Sequence, residues 1–201
     1  MPLLTVVAGA NGAGKSTLTR LGREIFQSYA VLDPDAVAKD MQVSGVHDGS
    51  AIDAGREVLR RAENFLVKRE SFLVETTLSG STYIRMMKRA TSLGYRLRFL
   101  YVGTSSVEIN IQRIKNRVKR GGHDVPEEDQ KRRYPRSLEN LPKALKLADE
   151  AIIFDNSTFV GHNKVIVKDH KGYIFYDPIP IWAESCRSLR SYGDSENALT
   201  V

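Results

Sequence analysis

Five apolar, β-branched runs alternating with helical periodicities predict an α/β fold on a mainly parallel five-stranded sheet. The runs are "LLTVVAG", "YAVLD", "FLVETTLSG", "RLRFLYVG" and "EAIIFDNS". A strand, crossover helix, strand unit returns each strand parallel to the one before it. The 201 residues suit a single domain, assigned to 1–185, with 186–201 as a flexible tail.

Each element has a local reason. After the first run, "KSTLTRLGREIF" places Leu18, Leu21 and Ile25 on one helical face. Asp33 stands before a short helix, where aspartate is a preferred N-cap. Ile52, Val58, Leu59, Ala62, Phe65 and Leu66 mark an amphipathic helix leading to the third strand. A helix over about 81–93 stops at Gly94, a residue favoured just past helix ends. Val107, Ile111, Ile114 and Val118 stripe the next helix and leave Arg113, Arg117 and Arg120 on its other faces. "GGHDVPEED" then interrupts. A helix from near Pro126 follows, with Glu127, Glu128 and Asp129 at the positive end of its dipole. Pro135 is expected to kink or break that helix. "KVIVKDHKGYIFY" reads as a C-terminal β-hairpin over about 163–177, turning near Lys171 and Gly172.

"GANGAGKS" matches G-x-x-x-x-G-K-[ST] in full and lies between a predicted strand and a predicted helix, the setting in which it cradles phosphates. Gly9, Ala10, Asn11, Gly12, Ala13 and Gly14 are small enough for backbone N–H groups to curl around phosphate oxygens. Lys15 then reaches the terminal phosphates, and the Ser16 hydroxyl, followed by Thr17, can ligate Mg²⁺. Nothing resembles the N-K-x-D motif that reads guanine, which favours ATP. No apolar strand ends in the aspartate or Asp-Glu pair of a Walker B motor, so a small-molecule kinase fits better than a motor.

Such a kinase needs a carboxylate for the acceptor hydroxyl and cations for the transferring group. Asp33 and Asp35 follow the second run, and Glu75 ends the third. Arg120 precedes "GGHDVPEE", and Arg132, Arg133 and Arg136 follow it, so residues 119–137 suit a mobile lid. His123 in the loop is a candidate substrate contact, although an exposed loop histidine is as common. The net charge of +6 suits anionic partners, but a solvated helix face accounts for the basic stretch equally well. Cys186 is the single cysteine, the apolar runs are too short to span a membrane and no signal-peptide pattern opens the chain, so a cytoplasmic protein without membrane contact is expected.

The segments "AGANGAGKST", "LDPDAVAKD", "FLVETTLSG", "GYRLRFLYVG", "RVKRGGHDVPEEDQKRRYPRSLENL" and "FDNS" resemble, in that order, the zeta-toxin-like P-loop kinases, in particular their small stand-alone branch. The resemblance covers about residues 3–157 and implies a P-loop three-layer sandwich with a helical lid. Characterised members of that family phosphorylate UDP-N-acetylglucosamine on a sugar hydroxyl. On this likeness Asp35 is the general base, and Glu75 helps hold the acceptor, with Asp33, Thr76 and Thr77 beside it. Arg120 and Arg133 stand for the catalytic lid arginines, with Arg132, Arg136 and His123 near the substrate. The family's usual proline after the first loop glycine is Ala10 here. A toxin role would need a separate antitoxin protein. Two other readings stay open: a nucleotide-dependent regulator or toxin-system binding module with slow hydrolysis, and a nucleic-acid end kinase. Tyr134 is the only aromatic near the basic stretch, which makes nucleic acid the weaker partner.

Overall fold

The computed structural model describes residues 1–22, 30–43, 51–158 and 160–189. Ile25 and Phe26 of the expected first helix, and the tail beyond residue 189, lie outside the described residues. The strands are β1 (Leu3–Ala8), β2 (Ala30–Leu32), β3 (Phe72–Thr76), β4 (Arg96–Gly103), β5 (Glu150–Asp155), β6 (Asn163–Asp169) and β7 (Gly172–Phe175). They form one sheet in the order β2-β3-β1-β4-β5-β6-β7. The first five are parallel, as expected. The hairpin does not stand apart: β6 pairs antiparallel with β5 and β7 with β6, giving seven strands in a mixed sheet. Pairing satisfies the backbone groups that β5 would otherwise leave open along its outer edge.

The helices are α1 (Lys15–Leu21), α2 (Pro34–Val43), α3 (Ala51–Lys68), α4 (Ser81–Ser92), α5 (Val107–Val118) and α6 (Glu127–Leu147), followed by a 3₁₀ helix over Ile181–Leu189. Side chains of β1 alternate between the two faces of the sheet. Leu4, Val6 and Ala8 enter the larger core with Val58 of α3, Met87 of α4 and Leu141 of α6, whereas Val7 meets Leu73, Leu100 and Leu18 of α1. Helices on both faces make the expected three layers. Phe72 anchors the larger core, stacked 5.3 Å from Phe65 and edge-on to Tyr95 at 6.2 Å.

Two expectations are corrected. Pro135 does not break α6, which runs 21 residues with Pro135 and Pro142 inside it. Tertiary bonds hold the helix along its length: Tyr134 donates to the Thr104 carbonyl (2.7 Å), Ser137 meets the Tyr101 hydroxyl (2.9 Å) and Asn140 donates to the Leu78 carbonyl (3.0 Å). Lys168 closes the end by donating to the carbonyls of Leu145, Lys146 and Ala148, the favourable place for a cation. Residues 186–189, expected in the tail, belong instead to the 3₁₀ helix. Cys186 is fully buried within the 3₁₀ helix, and Trp182 of the same helix packs in the core.

Pro135 still leaves the Lys131 carbonyl without its i+4 donor. Pro135→Ala should therefore raise the unfolding free energy, by up to about 3 kcal/mol, read from urea denaturation followed by circular dichroism.

Candidate active site

The carboxyl ends of β1 to β5 share one rim of the sheet, where α/β folds collect ligands. From β1 the chain turns through residues 9–14 into α1, and tight approaches shape the turn. Gly12 has φ 77°, and a Cβ there would lie 2.6 Å from the Asn110 carbonyl oxygen of α5. Gly14 caps α1 with φ 110°. Both are left-handed conformations that disfavour any side chain. Lys15 folds its ammonium back onto the loop, donating to the carbonyls of Gly9 (2.8 Å) and Ala10 (3.2 Å). Burial lowers its pKa from the usual lysine value, opposed by the charges of Glu75, Asp35 and Asp33 and reinforced by Arg117.

Glu75 sits beneath this loop. The parallel register sets it beside Val7 of β1, so its side chain emerges under the first turn of α1. Thr19 donates to one carboxylate oxygen (2.7 Å), and Ser16 lies 3.4 Å from the other. Only 5% of the residue is exposed. Burial raises its pKa, against the bond from Thr19 and the charge of Lys15. The carboxylate is enclosed, with two hydroxyls and a nearby cation compensating its desolvation.

Asp33 and Asp35 flank the same loop from the end of β2. Asp33 accepts the Asp35 backbone N–H (3.0 Å) and so caps α2, with Pro34 in the first turn. Burial raises the Asp33 pKa, and the Asp35 N–H opposes the rise. Asp35 is exposed. After Glu75 the chain turns sharply: Thr76 accepts the Leu78 N–H (3.0 Å), Thr77 and Ser79 hydroxyls lie 2.9 Å apart, and Leu78 takes φ 57°. A buried leucine in that region is a strained placement. Asn140 of α6 holds it by its carbonyl.

The arginines divide. Arg120, Arg132 and Arg136 are exposed. Arg132 and Arg133 are both bound to Asp129, at 2.5 and 2.9 Å. Lys115 and Lys131 both pair with Glu127. The His123 side chain is exposed, and its carbonyl accepts from Arg117 (2.7 Å). Arg117 is the guanidinium whose charge reaches Lys15, and its Nε is buried with no hydrogen-bond partner among the described residues, as is Nη1 of Arg113 one turn earlier. Lys15, Ser16, Asp33, Asp35 and Glu75 are thus brought together, while Arg120, Arg132, Arg136 and the His123 ring are exposed to solvent. Thr19 and Arg117 carry no motif signal of their own. Thr19 lies three residues from Ser16, and so on the same helical face, which was legible.

Against known families, the model described as Zeta toxin matches residues 1–166. The chain belongs to the Zeta toxin family. An uncharacterised protein of Haemophilus influenzae is 40% identical over 127 residues, 63% of this chain and 88% of that one. The Zeta toxin fold recurs in solved structures at low identity. A chain of the AvrRxo1-ORF1:AvrRxo1-ORF2 complex with ATP superposes with TM-score 0.70 at 13% identity, over 95% of this chain. This chain spans 64% of that longer one. The PezAT toxin–antitoxin structure from Streptococcus pneumoniae gives 0.61 at 16% identity, over 94% of this chain and 78% of its own. No helix among the described residues is long and apolar enough to cross a membrane.

The enclosed glutamate has a measurable cost. Its folded pKa lies above the unfolded value, so ionising it disfavours the fold at pH values above that window and has no effect below the unfolded value of about 4.5. Glu75→Gln should melt at a higher temperature than the wild type at pH 7, and the gap should close near pH 4, as followed by thermal denaturation.

Proposed function

We propose that the protein is an ATP-dependent kinase that transfers the γ-phosphoryl group to a hydroxyl of a small acceptor, a nucleotide sugar such as UDP-N-acetylglucosamine, in the cytoplasm. The reading rests on one observation above all: Lys15, Ser16 and three carboxylates converge where the phosphate loop leaves the sheet. The family membership and the ATP carried by the AvrRxo1 complex support it.

The loop N–H groups and Lys15 bind the β- and γ-phosphates, Lys15 exchanging its bonds to Gly9 and Ala10 for phosphate oxygens. Ser16 and Glu75 offer hard oxygen donors close together, a set that suits Mg²⁺. They would hold that ion, which neutralises charge on the phosphates when bound. With both its oxygens turned to Ser16 and Thr19, Glu75 serves the loop and the metal rather than the acceptor. Asp35, exposed beside the loop, takes the proton of the attacking hydroxyl. The new bond joins that oxygen to the γ-phosphorus, the bond to the β–γ bridging oxygen breaks, and ADP leaves. Asp33 keeps the Asp35 turn in shape, and Thr77 faces the acceptor from the end of β3.

Arg117 is assigned the charge-stabilising part first expected of Arg120, because it lies on α5, the helix packed against Gly12 of the phosphate loop, and its buried Nε has no hydrogen-bond partner among the described residues. Arg133 reaches the transferring group once released from Asp129. A nucleic-acid substrate is the weaker reading: Tyr134, the only aromatic near the basic stretch, already donates its hydroxyl to the Thr104 carbonyl and is half-buried. A separate antitoxin protein is the fitting partner, as the PezAT system has one.

The test is incubation with Mg²⁺, ATP and a panel of UDP-sugars, nucleosides and short nucleic acids, with products read by mass. A phosphorylated UDP-sugar is expected, and no transfer to any acceptor with ATP left intact sinks the proposal. Asp35→Asn should bind ATP as the wild type does and lose transfer by about 10²-fold or more. Arg117→Ala should lose about 10²-fold in turnover, whereas Arg120→Ala should stay near the wild type. Equal losses at the two positions would refute the choice of Arg117.

A further inference from the structure

The "FDNS" segment takes no part in the transfer described above, yet it touches the phosphate loop from behind. Asn156 donates its side-chain amide to the Ala13 carbonyl at 2.7 Å and its backbone N–H to the Gly103 carbonyl at 2.9 Å. The amide fills the space beside Gly14, where a Cβ would lie 2.5 Å from it. His162, edge-on to Phe154, sets Nε2 3.3 Å from the Gly14 carbonyl oxygen.

The turn that carries Asn156 is itself pinned. Asp155 Oδ1 accepts from the Ser157 hydroxyl (2.5 Å) and from Trp182 Nε1 (3.1 Å), and Ser157 Oγ accepts the Ser105 N–H (2.8 Å). The Trp182 ring lies against Gly103, at a place where any Cβ would collide with it, and tilted over Tyr101 at 6.0 Å. Trp182 belongs to the 3₁₀ helix, beyond residue 166 where the family match ends.

The consequence follows from the planar peptide. The Ala13 carbonyl and the Gly14 N–H share one plane and point in opposite directions, as do the Gly14 carbonyl and the Lys15 N–H. A donor fixed on the rear carbonyl therefore aims the N–H on the other side into the loop, and polarises it. We propose that Asn156 is a positioning residue for the triphosphate, acting through the Ala13–Gly14 peptide, and that Trp182 holds it in place through Asp155. The C-terminal 3₁₀ helix thereby becomes part of the nucleotide site. This rests on the reading that the phosphate loop binds a nucleoside triphosphate.

The experiment measures equilibrium binding of ATP and of inorganic tripolyphosphate, each with Mg²⁺, to the full chain and to Asn156→Ala, Asn156→Asp and Trp182→Phe. Melting of each protein without nucleotide is recorded alongside. Asn156→Ala should weaken both ligands by about tenfold, and by the same factor, because the loss lies in the phosphate contacts. Asn156→Asp, which turns an acceptor toward the Ala13 carbonyl, should weaken them further. Trp182→Phe loses the N–H together with the outer ring atoms that lie on Gly103, so its melting temperature without nucleotide should fall; measured well below that temperature, it should weaken both ligands by about threefold. Wild-type affinity in Asn156→Ala, or a loss for ATP alone, overturns the role given to Asn156. Unchanged binding by Trp182→Phe overturns that given to Trp182. Failure of the wild type to bind ATP would instead remove the phosphate-loop reading itself.

Discussion

The enclosed carboxylate of Glu75 is the constraint around which the rim of the sheet is arranged. It ends β3, lies beside Val7 of β1 and takes hydroxyls from α1, so one charge joins two strands and the helix that follows the phosphate loop. A buried carboxylate is tolerated only with partners. Here those partners are the groups a phosphate and its cation would use, Ser16 and Lys15. Satisfying the charge and shaping the site are therefore one requirement. Burial pushes the Lys15 pKa down and the Glu75 pKa up, and the charge each presents to the other opposes both shifts.

Around that centre the molecule separates rigid from adjustable parts. Helix α6 is tied to β4 through Tyr101, to the turn after β4 through Thr104 and to the turn after β3 through Leu78. Residues 127–137 of the expected lid belong to this helix. The loop over 119–126, between Val118 of α5 and Glu127 of α6, is held at two points, the His123 carbonyl accepting from Arg117 and the carbonyl of buried Val125 accepting from Gln130. The ion pairs of Glu127 and Asp129 hold the basic residues of both helices close to the protein surface. Exposed pairs of this kind are weak, which leaves Arg133 free to change partner when a stronger anion arrives.

The rear of the phosphate loop is as closely held as its front. Backbone N–H groups bind phosphate best when their planes are fixed; within the loop Ala13 N–H and Lys15 hold the Ala10 and Gly9 carbonyls, which leaves the Ala13 and Gly14 carbonyls to other segments. The turn after β5 and the indole of Trp182 supply that stiffness from segments far away in the chain. The hairpin of β6 and β7 gains a reason in the same way, since it carries the chain from that turn to the 3₁₀ helix.

Some of this was legible residue by residue. The parallel sheet follows from the alternation of strand and helix signals, and the phosphate loop from a complete motif in its proper setting. The cap at Asp33 follows from aspartate before a prolyl first turn. Local chemistry decides such features, and local chemistry is what a sequence displays. The unbroken α6 was not legible, because proline weakens any helix locally and only the bonds to Tyr101, Thr104 and Leu78 outweigh it. Nor was the difference between Arg117 and Arg120. Both lie in one basic run, yet the packing of the α5 end buries the Arg117 Nε and leaves Arg120 exposed. The sequence by itself determined that a phosphate loop, nearby carboxylates and a cluster of arginines exist. Only the tertiary structure decided which of them meet, because burial and pairing are set by contacts between segments that the chain keeps far apart.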